Sequence, residues 1–372
     1  MSRIPKIYYA LLPFAWLYGL VLYLRNKLFD WHWLKSRKFL VPVIVIGNLA
    51  VGGTGKTPHT EYLIRLLQPH YNLAVLSRGY KRKSKGFRLA GANTTMDEIG
   101  DEPFQMARKY PAVQVAVDAD RCHGIDCLMQ KVQPAPQVFL LDDAYQHRYV
   151  KPGLAILLTD YNRLFTRDYL LPTGRLRESA LGKGRAAIVI VSKCPENLTF
   201  AQQECIRKEL ALSARQQLYF TTLKYGKLRS LFAKNIECDL GSLQTDKHVL
   251  LVTGIASPVR LIDELKHYTP NIHPVTFPDH HNFTERDMQQ IALAFQQLPE
   301  GERILITTEK DAARLIAHPQ LPEKLKPYIY VLPVEVQFLN EQQTLFNQKI
   351  IEYVRKNSRN SSIPESKDAD KS

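Results

Sequence analysis

A glycine-rich turn, VGGTGKT from Val51 to Thr57, is the stretch of this chain whose residue types and spacing are best suited to chemistry on a polyphosphate. In the pattern G-x-x-x-x-G-K-[ST] the first glycine is replaced by Ala50, and Gly55, Lys56 and Thr57 follow at the required spacing. Gly52, Gly53 and Gly55, with Thr54 between them, let successive backbone N–H groups curl around phosphate oxygens. Lys56 places a point charge on the β/γ-phosphates, and Thr57 offers a hydroxyl to Mg²⁺. Two carboxylates, Asp142 and Asp143, end the apolar run Val138 to Leu141. At the carboxyl end of a buried parallel strand they face the ligand crevice, where one can hold Mg²⁺ directly or through water.

Other polar residues admit two readings each. Asp101, just ahead of a helical stretch at Phe104 to Arg108, is either an N-cap or, beside a nucleotide, a proton acceptor. Arg175 and Arg177 are either phosphate clamps or partners of Glu178 in a surface loop. Arg78, Lys81, Arg82, Lys83 and Lys85 crowd one loop, which is either solvated or in contact with substrate phosphate or acidic lipid. Ser192-Lys193, at a strand end, are expected to pack against the nucleotide base. His280 and His281 lie in the polar loop FPDHHNF, as surface residues or as a proton relay for a catalytic carboxylate.

The elements that must position these residues follow from pattern. Strands are expected at Val43 to Ile46, Leu73 to Leu76, Val113 to Val117, Val138 to Leu141, Leu154 to Leu158 and Ala187 to Val191, with a helix after the glycine turn carrying Tyr62, Leu63, Leu66 and Leu67. From about Asp246 the alternation of strand and helix restarts, and Thr284 with Asp287 marks a helix start. The expected architecture is α/β: a P-loop NTPase-type parallel sheet with helices on both faces, a second smaller α/β unit, and an N-terminal membrane-associated helix. Its expected division is 1–38 for the helix and basic flank, 39–240 for the P-loop core, 241–356 for the smaller unit and 357–372 for a disordered tail.

Composition limits the alternatives. With 372 residues, 45% hydrophobic and 10% aromatic, the chain is globular and long enough for two cores. The formal charge of +14 calls for an anionic partner without choosing among nucleic acid, membrane and phosphorylated substrate. Five cysteines without a C-x-x-C pair indicate neither a disulfide framework nor a zinc site. Ile7 to Leu24 contains no charge and is flanked by Arg3, Lys6, Arg25 and Lys27, so this stretch is expected to span a membrane or lie in its interface, the remaining reading being an apolar helix packed on the protein's own surface.

Taken in order, VGGTGKTPHTEYL, LSRGY, GDEP, DDAYQHR, LLPTGRLRE, FPDHHNF and TEKDA resemble the motif series of the tetraacyldisaccharide 4'-kinases, the lipid A 4'-kinases of Gram-negative bacteria. The resemblance implies ATP- and Mg²⁺-dependent phosphorylation of the 4'-hydroxyl of the lipid A disaccharide 1-phosphate precursor at the cytoplasmic face of the inner membrane, with no nucleic acid and no obligate protein partner. It implies that Asp101 and His280 form an acid/base pair, that Lys56 and Thr57 bind phosphates and Mg²⁺, and that Asp142 and Asp143 sit at the metal and catalytic centre; Arg177 matches a further motif position, and its charge suits the moving phosphoryl group. Glu102, Arg121 and Glu178 match motif positions near that site without a defined role, and Ala144 stands where the family usually has glycine. The alternative is a membrane-associated ATPase switch resembling the MinD and ParA group, whose loop reads KGGTGKT; Val51 here replaces its lysine. A nucleic-acid-binding NTPase rests on charge alone.

Overall fold

Strands buried on both faces must be apolar at every position rather than alternate, and the apolar runs of this sequence become such strands. The computed structural model describes residues 8–233, 236–243, 246–255, 258–279, 281–300, 302–316 and 318–358. Among them, one sheet has nine strands: β1 (Val43–Asn48), β2 (Leu73–Ser77), β3 (Arg88–Leu89), β4 (Gln114–Val117), β5 (Val138–Asp142), β6 (Leu154–Asp160), β7 (Ile188–Ser192), β8 (Gln217–Tyr225) and, from much later in the chain, β15 (Val334–Phe338). Their order, β15-β8-β7-β6-β1-β5-β2-β4-β3, puts β1 at the centre. Pairing is parallel except at the two edges, β3 on β4 and β15 on β8.

Helices cover both faces. The helices are α1 (Leu12–Asp30), α2 (Lys56–Leu67), α3 (Met96–Ile99), α4 (Asp101–Lys109), α5 (Arg121–Lys131) and α6 (Phe200–Leu210), then α7 (Val259–Lys266), α8 (Glu285–Gln296) and α9 (Glu309–Ile316) beside the second sheet, and finally α10 (Gln343–Asn357). On one face Val45, Phe139, Leu157 and Val189 pack with Ile125 and Leu128 of α5 and Ile206 of α6. On the other, Ile44, Ile46, Leu140 and Ile156 pack with Leu63, Ile64 and Leu67 of α2, Met106 of α4, and Phe346, Ile350 and Val354 of α10.

The second sheet has six strands among the described residues, β9 (Leu228–Ser230), β10 (Glu237–Cys238), β11 (His248–Thr253), β12 (Ile272–Thr276), β13 (Arg303–Thr308) and β14 (Ile329–Leu332), in the order β10-β9-β14-β13-β11-β12. The sheets do not part at residue 240. β9 already pairs with β14, and from Val334 the chain returns to the first sheet, β15 against β8 and α10 beneath α2. Alternation of strand and helix along the sequence does not say which sheet an edge strand will join.

The N-terminal stretch packs in part on the protein's own surface, one of the alternatives expected for it. Among the described residues no helix is long and apolar enough to cross a membrane. α1 runs on through Arg25, Lys27 and Asp30, and it is docked: Phe29 is buried, Tyr18 Oη donates to the Arg177 carbonyl (3.0 Å), Arg25 to the Gln146 carbonyl (3.1 Å) and Asn26 Nδ2 to Glu178 Oε1 (2.9 Å). Its outer face leaves Phe14, Trp16, Leu17, Leu20, Val21 and Leu24 exposed. The expected tail lies, from residue 359, outside the described residues.

If α10 belongs to the core of the first sheet, Phe346→Ala, at a side chain 2% exposed, should cost about 3–5 kcal/mol in chemical denaturation. A loss below about 1 kcal/mol would mean that the helix contributes little to that core.

Candidate active site

β1 delivers the chain into the glycine turn and α2 starts at Lys56 directly behind it. Gly52 and Gly55 have φ of 110° and 79°, a region that side-chain-bearing residues enter only with strain. The turn is held from outside. Asn48, buried at the end of β1, donates Nδ2 to Thr54 Oγ1 (2.8 Å), and Ser192 Oγ donates to the Thr54 carbonyl (2.8 Å). The Lys193 ammonium donates to the Gly53 carbonyl and pairs with Asp160 at 2.8 Å. Thus Ser192 and Lys193, expected against a nucleotide base, are directed at carbonyls of the phosphate loop. One turn into α2, His59 Nδ1 lies 2.7 Å from the Gly55 carbonyl and Nε2 lies 3.1 Å from Thr221 Oγ1. A carbonyl only accepts, so Nδ1 carries the proton. Burial lowers the pKa of His59 to about 4, which keeps the ring neutral and leaves Nε2 to accept from the Thr221 hydroxyl.

The carboxylates reach this turn because Gly47 has no side chain: a Cβ there would lie 2.7 Å from Cβ and 3.0 Å from N of Tyr145. Asp142, at the end of β5, is fully buried. Thr60 Oγ1 donates to its Oδ1 (2.9 Å), while Oδ2 has no partner among the described residues. Burial, reinforced by the charges of Glu102 and Asp143, pushes the Asp142 carboxyl up to about 7 against the pull of Lys56. Asp143, at φ 46°, turns the other way. Arg177 grips it with two bonds (Nη1 to Oδ2 3.0 Å, Nη2 to Oδ1 2.7 Å), Nη2 also bonds Asn48 Oδ1, and Lys56 Nζ lies 3.8 Å from Oδ1. Burial alone would raise the Asp143 carboxyl, but the Arg177 bonds and Lys56 outweigh it and leave it lowered. A buried carboxylate oxygen without a partner, a second carboxylate and the Thr57 hydroxyl one residue beyond Lys56 are hard oxygen donors of the kind Mg²⁺ takes.

The remaining expectations divide. Lys56, Asp142, Asp143 and Arg177 converge, with Glu102 and the buried Arg121 in electrostatic reach of Asp142; burial, then Arg78, lowers Arg121 to about 10. Arg175 is exposed at the rim beside Gly52, its carbonyl accepting from Val51 N (2.7 Å). Arg177 is not the partner of Glu178, which Arg185 holds at 2.5 and 2.8 Å. Asp101 is not an N-cap: Gly100, at φ 88°, turns into α4, leaving Asp101 as its first residue, paired with Arg314 of α9. His280 lies outside the described residues; His281 sits 2.8 Å from Asp287 and stacks on Phe277. Asn48, His59, Thr60 and Arg314 went unread. Asn48, a lone amide ending an apolar strand, and Thr60, one helical turn after Thr57, were visible signals.

Comparison with known proteins finds relatives over nearly the whole chain. The LpxK family, described as tetraacyldisaccharide-1-P 4'-kinase, matches residues 7–354. A tetraacyldisaccharide 4'-kinase of Phocaeicola vulgatus is 59% identical over 97% of this chain and 99% of its own, and one of Bacteroides fragilis 57% identical over 99% and 98%. Among solved structures, an "apo" form LpxK from Aquifex aeolicus in complex with ATP is similar with a TM-score of 0.72 and 29% identity, covering 93% of this chain and 98% of that one.

Since Asp142 ionises only toward neutral pH, protons compete with a cation below it. Added Mg²⁺ should raise the thermal midpoint more at about pH 8 than at about pH 6, and Asp142→Asn should abolish the difference. An equal effect at both pH values in the unmodified protein would count against Asp142 as the cation ligand.

Proposed function

Because the chain belongs to the LpxK family of tetraacyldisaccharide-1-P 4'-kinases, we propose that it moves the γ-phosphoryl group of ATP onto the 4'-hydroxyl of the tetraacyldisaccharide 1-phosphate, giving the 1,4'-bisphosphate of lipid A biosynthesis. The observation that carries the site assignment is the Lys56–Asp143–Arg177 cluster set against the unpartnered Asp142 oxygen behind the glycine turn. Phosphoryl transfer asks a protein mainly for positioning and charge neutralisation, and this cluster supplies both. The N–H groups from Gly52 to Thr57 and the Lys56 ammonium cradle the phosphates, and Arg177 brings a second cation to the moving group. Thr57 and Asp142 would hold Mg²⁺, which when bound neutralises phosphate charge. Asp101, opening α4 one residue from Glu102, accepts the proton of the sugar hydroxyl, with His280 as its partner in the family motif.

The enzyme works at the cytoplasmic face of the inner membrane in this reading. α1 lies in the interface, its outward Phe14, Trp16 and Leu17 among acyl chains and Lys27 near anionic headgroups. A switch of the MinD and ParA kind is not favoured, since 4'-kinases match over nearly the whole chain.

Incubation with γ-labelled ATP and the disaccharide 1-phosphate should place label in the lipid. Hydrolysis indifferent to the acceptor would instead favour the switch. Asp101→Ala should cut turnover by about 10²–10⁴-fold with ATP binding retained, and near-normal turnover in that variant would remove Asp101 from the proton-accepting role.

A further inference from the structure

TEKDA has no part in the phosphate site described above. It opens α9, a helix of the second sheet's unit that nonetheless packs on α4: Ala313 joins Ile99, Phe104 and Val117 in one apolar cluster. Two ionic contacts bracket this seam. Glu309, the first residue of α9, pairs with Lys109, the last of α4, and Lys109 also lies 2.5 Å from Glu61 of α2. At the other end Arg314 pairs with Asp101, the first residue of α4. The helices therefore run antiparallel, with Asp101 held from the opposite unit.

Arg314 is itself fixed. Its side chain is 2% exposed and lies 3.3 Å from Asp311 one turn earlier, whose carboxylate accepts from Gly254 N (2.9 Å), Thr308 Oγ1 (2.7 Å) and Thr253 Oγ1 (3.3 Å). Lys310, on the same helix, lies 2.8 Å from Asp279, the residue before His280. A planar guanidinium anchored in this way fixes direction as well as charge. A proton acceptor displaced by about 1 Å loses on the order of 10²-fold in rate.

We propose that Arg314 is a positioning residue for phosphoryl transfer: through its contact with Asp101 it aims that carboxylate, and it does so only while α9 is docked on α4. The proposal rests on Asp101 being the proton acceptor.

A double-mutant cycle on the full-length enzyme, with ATP and the disaccharide 1-phosphate, tests it. Arg314→Met should lower kcat by about 10- to 100-fold and leave both KM values within about twofold, because binding is untouched. In an Asp101→Asn background the same change should cost less than about twofold, since there is no carboxylate left to aim. Arg314→Lys should recover part of kcat and, should the Met variant not fold, must still fall below wild type at unchanged KM. Losses that simply add, or a folded Lys or Met variant with wild-type kcat, would overturn the role of Arg314 while leaving Asp101 in place. Wild-type turnover in Asp101→Asn would instead remove the proton-acceptor reading and this inference together.

Discussion

The burial of Asp142 is the constraint around which the site is built. A carboxylate at the end of a central strand, out of reach of water and with one oxygen lacking a partner, stays ionised only if positive charge is brought to it. The chain meets that demand only in part. Gly47 lets the turn carrying Asp142 and Asp143 fold against β1, Thr60 satisfies one oxygen, and Lys56 is the nearby cation. Asp143 takes the bidentate arginine, so the two adjacent carboxylates are driven in opposite directions, one toward the proton and one away from it. A phosphate loop alone would not specify this asymmetry; the neighbouring strand end does.

What the sequence disclosed follows from what each feature needs. The central strands were legible because residues buried on two faces form continuous apolar runs, and Val43–Asn48 and Val138–Asp142 are such runs. The phosphate turn was legible because backbone wrapping demands glycine at set spacing. β15 and the edge-ward β8 were not, since an edge strand is defined by a partner far away in sequence. Nor was the contact between Asp101 and Arg314, which are 213 residues apart: spacing carries no information over such a distance. The docking of α1 was hidden for a related reason. Its cations flank an uncharged stretch as those of a membrane segment do, and only the fold reveals that Arg25 and the neighbouring Asn26 bond to residues of the DDAYQHR and LLPTGRLRE motifs.

Charged contacts here differ in weight by their exposure. Lys83–Asp97, with side chains 75% and 54% exposed, contributes at most about 1 kcal/mol. Lys109, 14% exposed, bridges Glu61 at 1% and Glu309 at 15%. Removing one member of that set strands a buried charge, a far costlier event than the loss of a surface pair. Burial raises Glu309, Glu61 adds to the rise, and Lys109 opposes both, so the phosphate-loop helix, α4 and α9 share one electrostatic junction.

The return of the chain from the second sheet to the first has a consequence for the order in which the protein is made. A nascent chain that has reached Pro333 already carries Lys56, Asp142, Asp143 and Arg177, yet it lacks β15, which pairs along β8, and α10, whose Phe346 and Asn347 meet Tyr62 of α2. Until those roughly two dozen residues leave the ribosome, β8 is an unpaired edge and α2 shows an apolar flank to solvent. Vectorial synthesis therefore places every residue of the chemistry on the chain before the scaffold that holds them is closed, and completion of the sheet is a late, long-range step.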